Sequence, residues 1–122
     1  MNPVVIRTDK RAALIGEARA EVLDRIVAAE PLSVILEAIA LRMQAIEPSM
    51  RVSIQLLHEV SGRLVNGAAP SLPERYLQAI EGVLPGPGMG SCGTSAWSGE
   101  TVLVENVFEH PYWAPYVELA RL

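Results

Sequence analysis

Positive charge is in short supply in this chain. Ten Lys and Arg stand against fourteen Asp and Glu, a formal −4 at neutral pH. Duplex nucleic acid needs a basic face to neutralise its phosphates. The densest basic pair, Lys10-Arg11, lies at a helix start that acidic residues follow, so no nucleic-acid partner is expected. The single cysteine, Cys92, excludes an intramolecular disulfide and argues against a secreted disulfide scaffold. Two histidines, His58 and His110, are far apart and belong to no ligand-spaced cluster, so no metal is expected. No apolar run approaches the roughly 18 residues of a membrane span. Met1 to Ile6 is too short and too poorly flanked for a signal peptide, which makes the cytoplasm the expected location. Glu100 and Glu105 form no acid–base pair, nothing resembles a catalytic triad, and there is no internal repeat or low-complexity segment.

What the chain does have is apolar content. Half of its 122 residues are apolar and 20% are charged, the profile of an ordinary folded domain able to bury a core without staples. Thr8 to Ala29 reads as a first helix, with Thr8 as its cap, Asp9 in its first turn, and Ile15, Ala18, Val22, Ile26 and Ala29 at steps of three and four. Pro31 opens a second helix whose stripe, Leu32, Ile35, Leu36, Ile39, Met43 and Ile46, is the most regular in the sequence; Pro48 ends it. The period then changes to two. Arg51 to Leu56 alternates as a half-buried strand, Ser61-Gly62 marks a turn, and Leu64 to Ala68 returns, together a hairpin. Ser71 and Pro73 open a short helix bearing Leu72, Tyr76 and Ile80, which Gly82 stops.

Gly and Pro concentrate from Val83 to Gly99. Gly86, Gly88 and Gly90 predict a tight loop with positive φ, and the P-loop and dinucleotide-binding patterns are both incomplete there. A short helix follows, capped by Ser91 and ended by Gly99. Thr101 to Glu105 then reads as a buried strand, and Tyr112 to Leu122 as a short amphipathic helix.

The run Gly86-Pro87-Gly88-Met89-Gly90-Ser91-Cys92-Gly93-Thr94-Ser95-Ala96, followed by Gly99-Glu100-Thr101-Val102-Leu103-Val104-Glu105-Asn106-Val107, resembles the core motif of GAF domains. The likeness is to those attached to bacterial signalling enzymes. His110-Pro111-Tyr112-Trp113, Tyr116, Glu118-Leu119-Ala120 and the upstream Gly67-to-Pro73 segment match the same pattern in the same order. The resemblance implies an α+β fold with a central antiparallel sheet. One long helix packs on it, and the loop and short helix wall a ligand pocket. It implies a connector or dimerisation helix over 1–30 and a sensor domain over 31–122. It also implies a regulatory rather than enzymatic role, a homodimer through the flanking helices, and a covalently attached output domain. Histidine kinases, transcriptional activators and cyclic di-GMP enzymes are such outputs. Members of the family continue past the helix containing Tyr116 with further strands and a helix. The expected sheet therefore lacks its C-terminal strands, to be supplied by a longer chain or a partner copy.

The expected ligand-binding residues are Ser91, Cys92, Gly93, Thr94, Trp97, Trp113 and Tyr116; the ligand and any cofactor are unidentified. Backbone N–H groups from Ser91 to Thr94 suit an anion at a helix start. Four of the chain's six aromatics, Trp97, Tyr112, Trp113 and Tyr116, suit a planar ligand or ordinary packing. His110 before Pro111 suits a cap better than a haem ligand. Cys92 near a helix amino end is either a thiol whose pKa the dipole lowers or a small buried residue. A similar Gly-x-x-Cys-Gly segment occurs in free-methionine sulfoxide reductases of GAF fold, but their chemistry needs a second, resolving cysteine that this chain lacks. A purely structural dimerisation module is the remaining alternative.

Overall fold

The computed structural model describes residues 3–122, with side chains from Lys10 onward. Its order is α1 (Pro3–Val27), α2 (Leu32–Ile46), β1 (Ile54–Leu57), β2 (Leu64–Ala68), α3 (Glu74–Ile80) and α4 (Gly90–Ser98). A 3-10 turn (Pro111–Tyr116) and α5 (Val117–Ala120) complete it. The class is α+β, with one two-stranded antiparallel sheet among the described residues. The chain divides into two compact units, Met1–Ile54 with Gly67–Ser71, and Gln55–Asn66 with Leu72–Leu122.

The first unit is a helical hairpin. α1 starts at Pro3, so Thr8 lies inside the helix and is not its cap; proline tolerates a first-turn position because its missing N–H has no partner there. Of the expected 1–30 segment, Met1 and Asn2 lie outside the described residues. At the other end Ala29 adopts φ +56, and Pro31 starts the next helix as its N-cap. Arg25 reaches both Glu21 and Glu30 at 3.0 Å, and Glu21 also pairs with Arg42 of α2. Ile35, Ala38 and Ala40 are the buried positions of α2. Much apolar surface stays open, Val27 (86% exposed), Leu23, Ile26 and Leu41 among it. An apolar groove of about 540 Å³ runs between the two helices, floored by Ile15, Val22, Ile39 and Met43. None of the helices among the described residues is long and apolar enough to cross a membrane.

The second unit contains the turn of the β1–β2 hairpin, within Gln55–Asn66. Gly62 (φ +69) makes the turn, and the His58 N–H donates to the Arg63 carbonyl at 2.9 Å. Leu64 is its buried apolar residue; its N–H donates to Val83 and its carbonyl accepts from Gly82, both at 2.8 Å. α3 begins at Glu74 with Pro73 as N-cap, two residues later than expected. A residue before proline is held out of the helical region, which excludes Leu72 and leaves Ser71 too far away to cap. Ser71 instead accepts a hydrogen bond from the Gln44 side chain at 2.6 Å within the first unit.

The expected third strand does not form. Thr101 to Glu105 alternates between exposed and half-buried, yet it carries no ladder. Leu103 is 87% exposed. Alternation specifies which side chains turn inward, but a strand also requires a neighbour whose N–H and C=O groups pair with its own. The expected Tyr112–Leu122 helix is likewise shorter and tighter, a 3-10 turn containing Pro115 followed by the single turn of α5.

Candidate functional site

The site lies in the second unit, where α4 faces the hairpin. α4 is entered through Met89 as N-cap and Gly90 at φ +66, so Ser91 falls inside the first turn and does not cap it. Of the loop glycines, Gly88 and Gly90 take positive φ and Gly86 does not. Gly99 at φ +73 ends the helix as a left-handed cap, its N–H donating to the Ser95 carbonyl at 2.8 Å.

α4 turns two faces to its surroundings. Gly93 and Thr94 are buried. A Cβ on Gly93 would lie 2.6 Å from the Met89 Cβ, so the close approach requires glycine. The Thr94 hydroxyl donates to the Gly90 carbonyl at 2.6 Å, which commits it to its own helix. On the other face Ser91, Cys92, Ser95 and Ala96 line an open groove of about 430 Å³. Its far wall is Gln55 and Leu64 of the hairpin, with Thr101 and Val102 of the segment after α4.

The aromatic segment braces the start of α4. Trp113 Nε1 donates to Ser91 Oγ at 2.8 Å, and Tyr116 packs on Gly90 with its hydroxyl 4.0 Å from the Met89 sulfur. Trp113 and Tyr116 meet edge-to-face at 6.3 Å. His110 caps the 3-10 turn, its Nδ1 accepting from the Tyr112 N–H at 3.1 Å. Of the seven residues expected to bind a ligand, Ser91 and Cys92 therefore line the groove. Gly93 and Thr94 pack behind it, Trp113 and Tyr116 hold its end, and Trp97 projects from α4 with 58% of its surface exposed.

In sequence Cys92 is open to two readings, a thiol whose pKa the helix dipole lowers or a small buried residue. Its surface is exposed, yet the protein around the sulfur desolvates the thiolate and pushes the thiol up, not down. Burial likewise raises Tyr76, with a further contribution from the negative charge Cys92 would carry. Cys92 is thus exposed and not buried, and its surroundings disfavour the thiolate. No group of three or more His, Cys, Asp or Glu gathers as a metal cage among the described residues.

Sequence reasoning missed Gln55, Leu64, Ser95, Ala96, Thr101 and Val102 as wall residues. A signal for two of them exists, since Ser91/Ser95 and Cys92/Ala96 are spaced by four and share a helix face. Gln55 belongs to the polar side of the alternating strand.

A hundred residues of the chain are 31% identical to part of the "Methyl sulfide methyltransferase-associated sensor" of Methanosarcina acetivorans, covering 82% of this chain and 10% of that protein. The chain thus spans about a tenth of the length of the curated relative it matches. No family model and no solved structure matches the chain.

Proposed function

We propose that the chain is a small-molecule-sensing module of GAF type, regulatory and not catalytic, within a longer signal-transduction protein. The observation that carries this is the groove between α4 and the hairpin. The likeness to a sensor supports it, as does the Gly-Ser-Cys-Gly-Thr block that forms the first turns of α4. A ligand there touches the exposed face of α4. Of the expected binding residues, Ser91 and Cys92 then act as wall and Trp113 and Tyr116 as brace, with Gly93 and Thr94 packed behind. Occupancy changes how the first turn of α4 is held against the Trp113 segment. The response of an attached output domain is limited by how much more tightly the ligand binds one arrangement than the other. Residues 1–30 serve as connector to a second copy, through the apolar faces that α1 and α2 leave open. A cyclic di-GMP enzyme is one output of this kind.

The test is to purify the protein from its own cells under native conditions and identify any bound molecule by mass spectrometry. Ala96→Trp, an exposed position on the groove wall, fills the groove; circular dichroism checks its fold. A stoichiometric small molecule in the natural protein and none in A96W is expected. Absence from the natural protein, or retention in A96W, overturns the assignment of the groove.

A further inference from the structure

Every side chain lining the groove on α4 is uncharged. Two concavities of the helical hairpin are not so: Arg11, Arg19, Arg42 and Glu47 rim one, and Glu17, Asp24 and Glu30 line the other. In the α4 groove hydrogen-bonding capacity is left over in both senses. Ser91 Oγ accepts from Trp113, which leaves its own O–H to give. Ser95 donates to the Glu100 carbonyl at 2.7 Å, which leaves its lone pairs to accept. Among the described residues no protein group bonds the Gln55 amide or the Thr101 hydroxyl. Leu64, Ala96 and Val102 supply apolar surface between these groups.

Resting on the sensing role proposed above, we infer that the groove takes an uncharged small molecule bearing a carboxamide or lactam, and not a carboxylate, phosphate or ammonium. A carboxamide or lactam offers a donor beside an acceptor, the complement of the Gln55 amide, and the hydroxyls of Thr101 and Ser91 extend the same pairing. A charged headgroup would exchange water for neutral partners with no countercharge at hand, which costs more than the exchange of a neutral one. The amino end of α4 acts in the opposite sense, since its dipole favours an anion, and this is the effect the experiment must weigh.

Nicotinamide, nicotinate and protonated 3-(aminomethyl)pyridine share one ring and differ in charge. Each is titrated into the 15N-labelled 122-residue chain at neutral pH and followed by amide chemical shifts. Nicotinamide is expected to move the Gln55 side-chain amide, Thr101 and Ser91 to Ala96, with a Kd at least about tenfold below the other two. Gln55→Ala removes that preference while the spectrum stays dispersed. Nicotinate or the ammonium compound binding as tightly as the amide overturns the uncharged class and leaves the sensing role standing. If none of the three shifts a groove resonance, the carboxamide inference falls, and the sensing role stands or falls by the molecule that co-purifies with the natural protein.

Discussion

Replacing Gly93 by alanine sets two effects of similar size against each other. Alanine is favoured over glycine inside a helix by about 1 kcal/mol, so propensity alone makes G93A stabilising. The new Cβ, however, would sit 2.6 Å from the Met89 Cβ, with the Val83 Cγ1 at 3.5 Å and the Leu84 carbonyl at 3.8 Å. A Cβ is fixed to its backbone, so relief requires the entry to α4 to move and cannot come from a rotamer change. Overpacking of that kind costs about 1–3 kcal/mol, and the upper part of the range applies where backbone must shift. The net expectation is a loss of about 1–2 kcal/mol, which in a domain near this size lowers Tm by roughly 5–10 °C. Urea unfolding followed by circular dichroism measures it, and an unchanged m-value shows that the native state was strained and not unfolded. Gly16→Ala is the control. That glycine lies in α1 with nothing within 4 Å of an added Cβ, so propensity acts alone and about 1 kcal/mol of stabilisation is expected. A G93A protein as stable as the parent, or more so, would refute the close approach that shapes the back of the groove.

Three further outcomes are expected. Trp113→Phe and Ser91→Ala should each cost about 1 kcal/mol in denaturant unfolding and the double variant scarcely more; simple addition would show that the indole–hydroxyl bond does not hold. Glu21 is held below the ordinary glutamate range, first by its bond to Arg42 and then by Arg25. Its contribution is thus present above the unfolded-state value and lost as pH falls through the lower folded one; E21Q should flatten that acid limb in pH-dependent unfolding, and an unaltered limb counts against the pairing. Cys92, with its thiol pushed up, should alkylate with iodoacetamide at neutral pH more slowly than free cysteine and accelerate as pH rises past the ordinary thiol range; a rate equal to or above free cysteine contradicts the desolvation.

The helices of the first unit were readable because their information is local. The stripe from Leu32 to Ile46 gave α2 to within a residue at either end, and Pro31 and Gly99 acted where their backbone preferences said they would. Caps were read less well. Ser71 and Ser91 are good capping residues, but the entries to their helices are set by backbone, by the fixed φ of Pro73 and by the φ of +66 that Gly90 permits. Both serines found partners elsewhere, Gln44 for one and Trp113 for the other, at 27 and 22 residues' separation. The same distance problem explains the Thr101–Glu105 segment, whose alternation is genuine and whose missing ladder depends on a neighbour that no local pattern encodes. In the site, the α4 residues were legible from the glycine-rich block. The opposite wall was not, because which strand position faces α4 is decided by how the hairpin packs. Cys92 shows the same limit in electrostatics: a helix start is visible in sequence, whereas the protein mass around one sulfur is not.

The bond between Trp113 and Ser91 also makes the molecule its own optical probe. The chain has two tryptophans. One, Trp113, is half-buried and hydrogen-bonded to Ser91 of α4, and the other, Trp97, lies on α4 with more than half of its surface exposed. Their emission differs accordingly, the exposed indole red-shifted and open to acrylamide, the bonded one bluer and shielded. A compound settling against Ser91 disturbs the second and spares the first, so the ratio of the two bands reads occupancy without a label.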